Sequence, residues 1–120
     1  MNKAIILLVC LLSSTFISYA QTNCFKLPST FKSYNQATTL VKATKFNIIE
    51  TANTSKSTWV KSATYYSCDG KTGYLIILLK SKEYIHANLP YSIWKGFKNA
   101  SSKGKYYDNN IKHKYQLRVN

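Results

Sequence analysis

The stretch GYLIILLKSKEYIHANLPYSIWKGF, residues 73–97, determines how we expect this chain to fold. Residues 74–79 are apolar at every position, which predicts a strand buried on both faces at the centre of a sheet. Residues 83–89 alternate, which predicts a neighbouring strand. The alternation puts one set of side chains on one face, Tyr84, His86 and Asn88, and a second set on the opposite face, Ile85, Ala87 and Leu89.

A helix is predicted directly after this strand. Pro90 ends the strand and suits the first turn of a helix, and apolar side chains then recur at helical spacing over residues 91–102. Gly96 within this helix indicates close packing against a neighbouring element, and we expect Gly104 to end it in a left-handed conformation. The apolar stripe that should face the sheet consists of Ile93, Trp94, Phe97 and Ala100.

The remaining strand lies upstream of a tight turn. Residues 69–73 (DGKTG) are a hairpin signal, because an Asp-Gly pair tolerates a positive φ. We therefore predict an α+β fold. In it, a three-stranded antiparallel meander, at about 57–67, 73–80 and 82–89, packs one face against the helix at 91–102.

An N-terminal helix–strand unit extends this meander. Residues 33–36 (SYNQ) fit a capping box with Ser33 as the N-cap, and apolar residues at helical spacing follow, so we predict a helix over 33–43. Residues 45–50 alternate in part and predict a strand, which makes the meander three- to four-stranded. Residues 51–57 (TANTSKS) carry neither pattern and predict a polar connector.

Residues 1–20 have the pattern of a secretory signal peptide. Lys3 supplies a positive charge, and residues 4–12 (AIILLVCLL) are an apolar run too short to span a bilayer comfortably. Small residues precede a cleavage point between Ala20 and Gln21. An uncleaved membrane anchor is the competing interpretation. We predict an exported protein, secreted or periplasmic, with no transmembrane segment once the signal is removed.

Two of the three cysteines remain after that cleavage, Cys24 and Cys68. An even pair in an exported chain predicts a disulfide, which would tie an N-terminal arm to the end of a strand. A reactive thiol or a metal pair is the alternative, but no second pair of metal ligands stands nearby.

Basic residues far outnumber acidic ones. Without Lys3, 16 lysines and arginines stand against four carboxylates, a net charge of +12. This charge favours an acidic partner: a polyanion or nucleic acid, an anionic surface, or an acidic protein. Arg118 is the only arginine, which argues against sequence-specific reading of base edges. A lysine-rich surface that serves solubility alone is the alternative interpretation.

The order of residues in the second half resembles the KTSC domain, a small module found at the C-terminus of some lysyl-tRNA synthetases and as a stand-alone bacterial protein. The residues that carry the resemblance are Ser57-x-Trp59-Val60, Tyr65, an apolar strand, Tyr84-x-His86-x-x-Leu89-Pro90, Trp94-x-x-Phe97 and Ala100-x-Ser102-x-Gly104-x-Tyr106-Tyr107-x-x-Asn110-Ile111.

This resemblance divides the exported chain in two. Residues 55–115 look like the KTSC domain, and residues 21–54 form an additional arm, helix and strand. The family pattern has a central Tyr-x-Tyr, where this chain has Tyr84-Ile85-His86. The resemblance implies a fold, and for function it implies only a suggestion of RNA binding.

Catalytic patterns are not visible in the sequence. The carboxylates stand singly and the histidines and cysteines lack metal-ligand spacing, so we expect no enzyme, no cofactor and no metal. One enzymatic alternative is a metal-free ribonuclease, in which His86 and His113 act as base and acid and Lys95 or Lys112 holds the phosphate.

Binding is therefore the function that we expect, with a protein–protein or inhibitor module as the alternative. Aromatic side chains can stack on rings while lysines follow an acidic backbone, although the tyrosines can equally be packed in the core. The candidate binding residues are Lys80, Lys82, Tyr84, His86, Lys95, Lys98, Lys103, Lys105, Tyr106 and Lys112.

Overall fold

The computed structural model describes residues 23–120, so the predicted signal peptide at 1–20 lies outside the described residues. A 3₁₀ turn opens this part of the chain at Cys24–Lys26. Three helices and four strands follow: α1 Tyr34–Ala43, β1 Ile48–Thr51, β2 Val60–Ser67, β3 Thr72–Leu79, β4 Lys82–Pro90, α2 Tyr91–Asn99 and α3 Lys103–Asn110.

The strands form one antiparallel sheet in the order β1-β2-β3-β4. The α+β prediction is confirmed, with the strand of the N-terminal unit paired to β2 as the fourth strand. The predicted boundary between residues 54 and 55 falls in the connection between β1 and β2, so the sheet continues across it. Among residues 23–120, no helix is long and apolar enough to span a membrane.

Local signals at two turns behave as the sequence predicts. The Ser33 hydroxyl accepts a hydrogen bond from the Gln36 N–H at 3.0 Å and starts α1, while Gln36 Oε1 accepts from the N–H of Lys32 at 2.7 Å. In the β2–β3 hairpin, Gly70 has a φ of 76°, and Asp69 accepts hydrogen bonds from two backbone N–H groups downstream.

The sheet is covered on both faces, which explains why β3 is apolar throughout. Leu75 and Ile77 belong to a core with Trp94 and Phe97 of α2. Ile76, pointing the other way, belongs to a second core that includes Val41 of α1. Trp94 and Phe97 have no exposed surface, so the predicted packing of the helix on the sheet is confirmed.

The prediction that Leu89 lies on the same face of the sheet as Ile85 and Ala87 is wrong. His86 pairs with Leu75 and Leu89 pairs with Gly73, so three steps along β4 match two steps along β3. This β-bulge carries Asn88 at a φ of 56°, a conformation that asparagine tolerates. The extra residue turns Leu89 from the face of Ile85 to the face of Trp94, where it is fully buried.

The helix predicted over residues 91–102 is also corrected. It ends at Asn99, and Ser102 begins α3 as an N-cap, with its hydroxyl accepting from the N–H of Lys105. Gly104 lies inside α3 and is not among the positive-φ glycines of the described chain. Its lack of a side chain serves packing instead, because a Cβ there would lie 2.7 Å from the ring of Trp59.

The two ends of the described chain are fastened to the sheet. Cys24 and Cys68 form the predicted disulfide, which joins the N-terminal arm to the residue after β2. The C-terminal segment bonds to the same arm, since the Phe31 N–H donates to the Arg118 carbonyl at 3.0 Å. The arm is thus held both by a covalent link and by backbone pairing.

Candidate binding cleft

A cleft of about 770 Å³ opens along the outer edge of β4. The first residues of α1, from 33 to 35, form one wall on one face of the sheet. Trp59 and Tyr107 lie on the other face, and the segment after α3 closes one end with Lys112, His113 and Leu117. The cleft therefore collects residues from both covering layers and from the sheet edge between them.

The cleft contains half of the residues that the sequence analysis selected. Lys80, Lys82, Tyr84, His86 and Lys112 line it. The other five belong to α2 and α3, and none of them lines the cleft. These five residues are Lys95, Lys98, Lys103, Lys105 and Tyr106.

The lysines of the cleft are exposed and face little negative charge. Lys82 Nζ lies 5.2 Å from the centre of the Tyr84 ring, a cation–π contact that keeps the ammonium over the aromatic face. Glu83 is the carboxylate that lines the cleft, and its Oε2 is 2.9 Å from Nζ of Lys42. Because that carboxylate already has a partner, the positive charge of Lys80 and Lys112 is left for a ligand.

Aromatic side chains flank these lysines. Tyr34 is 56% exposed and Tyr84 is 39% exposed, so both rings present surface to solvent beside the cleft. Trp59 is half-buried and touches Tyr107 edge to face. The sequence analysis missed Tyr34 and Trp59 as site residues, because it assigned one to the start of a helix and the other to a strand.

His86 forms the floor of the cleft and is only 8% exposed. Its Nδ1 lies 3.2 Å from the Tyr115 carbonyl and its Nε2 lies 2.7 Å from the Tyr107 hydroxyl. Since a carbonyl only accepts, this network assigns the ring proton to Nδ1 and makes Nε2 the acceptor of the Tyr107 O–H.

Burial keeps this pair neutral. Loss of hydration lowers the pKa of His86 below its ordinary value of 6.5. The same cause raises the pKa of Tyr107 to about 12. With both ring nitrogens bonded inside the protein, His86 supports the cleft and has no free nitrogen with which to bind a ligand.

Two lysines of the α2–α3 half are engaged in the fold. Lys98 Nζ is 2.6 Å from a carboxylate oxygen of Glu50, which also accepts from the indole N–H of Trp94 at 3.0 Å. Lys103 donates to the carbonyls of Lys98 and Ala100 at the end of α2. Lys95 and Lys105 are exposed and remain candidates for a separate binding face.

The ribonuclease alternative finds its two histidines at one cleft. His113 lines it beside Lys112, and its proximity adds to the depression of the His86 pKa. The bonds of His86 to Tyr107 and Tyr115, however, occupy the nitrogen that would have to act as a base. Within residues 23–120, no three histidine, cysteine or carboxylate side chains are grouped to hold a metal ion.

A comparison with family models decides what kind of domain carries this cleft. The model of the KTSC domain matches residues 56–115, half of the chain. The chain belongs to the KTSC domain family. No curated protein and no solved structure matches it.

The KTSC domain corresponds to β2, β3, β4, α2 and α3, so the resemblance seen in the sequence is confirmed. Most of the cleft residues lie within it. The additional N-terminal unit contributes Tyr34 and its neighbours to one wall, and Lys42 to the ion pair with Glu83. The cleft of this chain is therefore a joint product of the KTSC domain and the unit that precedes it.

Proposed function

We propose that this KTSC-domain protein is a non-enzymatic binding module for an acidic partner, and that the cleft along β4 is its binding surface. The observation that carries the proposal is the grouping of exposed tyrosines with Lys80, Lys82 and Lys112 around a carboxylate that is already paired. Polyanions, with nucleic acids among them, are the partners that the charge favours first.

The physical argument rests on uncompensated charge. A net charge of +12 on residues 21–120 attracts acidic molecules to the whole surface. Within the cleft, nearby aromatic faces can add contact to that attraction, because rings stack on tyrosine while lysines neutralise a backbone. Lysine supplies point charges and not the planar fork of arginine, so binding in the cleft should depend on charge more than on sequence.

We propose further that the protein acts outside the cytoplasm. The signal-like residues 1–20 are the support for export, and the disulfide between Cys24 and Cys68 is compatible with an oxidising compartment. Sequencing the N-terminus of the protein recovered from the periplasm or the medium tests this. A start at Gln21 is expected, and an intact Met1 in the cytoplasmic fraction would contradict export.

The cleft is tested by removing its charge and comparing a matched control. The Lys80→Gln, Lys82→Gln, Lys112→Gln triple variant should lower the affinity for dextran sulfate and for oligothymidylate by at least tenfold. It should also reduce the slope of log affinity against log salt for the oligonucleotide by about 2, because three phosphate contacts are lost.

The control removes three charges outside the cleft. A Lys61→Gln, Lys95→Gln, Lys105→Gln variant has the same net charge, and its affinity should fall by less than threefold. All six lysines are exposed, so both variants should unfold at the wild-type denaturant concentration. A larger loss in the control would move the binding surface to the α2–α3 side and contradict the cleft.

Two alternative functions would give different results in related experiments. A protein–protein or inhibitor module would bind an acidic protein with a much weaker salt dependence than a polyanion shows. A ribonuclease would cleave bulk RNA in a reaction that the His86→Ala substitution abolishes. Cleavage of this kind would contradict the non-enzymatic proposal.

A further inference from the structure

The outer edge of β4 is only partly covered. β4 is the last strand of the sheet, and the chain after α3 returns to it for a single isolated bridge, His86 with Gln116. There the N–H of Ala87 donates to the Tyr115 carbonyl at 3.3 Å. Beyond Leu117 the chain leaves the sheet edge and pairs with Phe31 instead.

The residues just before this bridge leave three backbone groups free at the edge, although Ile85 is only 5% exposed and its carbonyl faces Leu117 across the bridge. Ile85 and Glu83 lie two and four residues before Ala87, so their N–H and C=O groups point to the same outer edge. Within residues 23–120, no backbone group bonds to the Ile85 N–H or to either backbone group of Glu83. These groups face the cleft, which both residues line.

An exposed strand edge of this kind accepts another extended chain. Added strands bond through alternating donors and acceptors of their backbone, while side chains on the two faces determine which segment is preferred. A nucleic acid offers phosphates and base edges but no such alternation. The free edge therefore favours a polypeptide over a nucleic acid as the occupant.

Charge complementarity narrows the polypeptide to an acidic one. Lys80, Lys82 and Lys112 surround the free edge, and the carboxylate of Glu83 is paired with Lys42. A second copy of this protein would bring the same lysines and a charge of +12 with it, which opposes edge-to-edge pairing of two copies. A segment rich in glutamate or aspartate carries no such positive charge, so the lysines attract it.

We propose that the free edge of β4 takes an extended acidic segment of another protein as an added strand, next to the C-terminal return. This inference rests on the proposed function, since it names the chemistry of the acidic partner of the cleft. The segment pairs with both backbone groups of Glu83 and with the N–H of Ile85, and its carboxylates lie among the three lysines. Tyr34 and Tyr84 pack against it from the rim.

The test uses peptides that differ only in backbone donors. A synthetic peptide of alternating glutamate and valine is compared with two versions, N-methylated at the glutamates or at the valines. Charge and composition are the same in the two versions, but only one edge of the added strand bonds to β4. One methylated peptide should lose at least tenfold in affinity, and the other should stay within threefold of the parent.

A substitution in the protein provides the matched second measurement. Glu83→Pro removes an outward N–H at a position where an edge strand admits proline, and Glu83→Gln removes only the charge. The proline variant should bind the parent peptide at least tenfold more weakly than the glutamine variant does. If the proline variant does not fold, the pair of methylated peptides decides alone.

The outcomes separate this inference from the function on which it rests. Equal affinity of the two methylated peptides, whether both bind or neither binds, overturns strand addition. Binding of oligothymidylate or dextran sulfate without binding of the parent peptide also overturns it, but leaves the cleft as a site for an acidic partner. If none of these ligands binds, the proposed function is wrong as well.

Discussion

At the scale of single residues, His86 and Glu50 are defined by their neighbours more than by their own chemistry. The sequence predicts that His86 is a binding residue. The structure gives its two nitrogens to Tyr107 and Tyr115. His86 therefore has a packing role, as a buried imidazole bonded on both sides.

The burial of His86 predicts how stability depends on pH. Its pKa is lower in the folded protein than the ordinary 6.5, so the unfolded chain binds the proton more readily. The free energy of unfolding should therefore fall as pH falls below about 6.5, and level off below the pKa of the folded state. Urea unfolding between pH 8 and pH 5 measures this.

Two controls isolate the effect of His86. The carboxylates with lowered pKa values, Glu50 and Asp69, have ordinary values of 4.5 and 3.8 and titrate below this window. His86→Gln should flatten the pH dependence, and His113→Gln, at an exposed position, should keep most of it, because burial is the larger cause of the lowered His86 pKa. A dependence that survives in His86→Gln would contradict the assignment.

The contacts of Glu50 lead to a second prediction, on the free energy of unfolding. Its carboxylate accepts hydrogen bonds from Tyr91, Trp94 and Lys98, and these bonds to Lys98 and Trp94 hold its pKa below the ordinary value. Glu50→Ala leaves the buried indole N–H without its partner and should lower the free energy of unfolding by about 1–3 kcal/mol.

The control for the Glu50→Ala variant is the ion pair between Glu83 and Lys42. Glu83→Ala breaks an exposed pair with Lys42 and should cost less than about 1 kcal/mol. Equal losses for the two variants in chemical denaturation would contradict the role given to Glu50.

At the scale of elements, the break between α2 and α3 shows that a contact with a distant residue can explain a glycine better than a helix end does. The sequence predicted one helix and a left-handed stop at Gly104. Ser102 starts a new helix instead, and the ring of Trp59 rests on the backbone where a side chain of residue 104 would stand. Gly96 follows the same logic, and its predicted close packing is confirmed by the Tyr106 side chain over it.

Gly104→Ala tests this packing. In an exposed helix the change would stabilise by up to about 1 kcal/mol. Here the added Cβ would lie 2.7 Å from a Trp59 ring atom, so we expect destabilisation by about 1–3 kcal/mol as the ring is displaced.

Fluorescence-monitored unfolding would report both the stability and the environment of the tryptophan. Asn109→Ala, at an exposed position of the same helix, is the control and should change stability by less than about 0.5 kcal/mol. Stabilisation by Gly104→Ala would show that the Trp59 ring can be displaced without loss of stability, and would contradict the prediction.

At the scale of the whole molecule, the N-terminal unit and the KTSC domain share one sheet. The unit supplies β1 at one edge and α1 on one face, and the second core joins side chains from both segments. The disulfide between Cys24 and Cys68 fastens the arm of this unit to the end of β2. Stability should therefore depend on a link that has one of its two cysteines outside the family domain.

Reduction of that disulfide is the measurement. The bridge closes a loop of 44 residues, and by the chain-entropy argument its loss should lower the free energy of unfolding by about 4 kcal/mol. Reductant should shift the denaturation midpoint of the wild type, whereas a Cys24→Ser, Cys68→Ser double variant should show the same lowered midpoint with and without reductant. An unchanged wild-type midpoint would contradict the prediction.

Much of the local structure could be predicted from the sequence, because its signals lie within a few residues of one another. The cap at Ser33, the Asp69-Gly70 turn and the apolar run of β3 each depend on neighbouring positions. The pairing of the two cysteines followed from their number and the expected export. These signals predicted the strands, α1 and the antiparallel order of β2, β3 and β4, whereas the pairing of β1 with β2 came from the structure.

Only the tertiary structure decided which residues meet at the cleft. Successive members of the set Tyr34, Trp59, Tyr84 and Lys112 are 25 to 28 residues apart in the chain, and their grouping depends on α1 covering the second face of the sheet. The bulge at Asn88 and the burial of His86 likewise result from packing between distant segments. The spacing of apolar residues predicts whether a side chain is buried. Which residues bury it depends on how the helices pack on the two faces of the sheet.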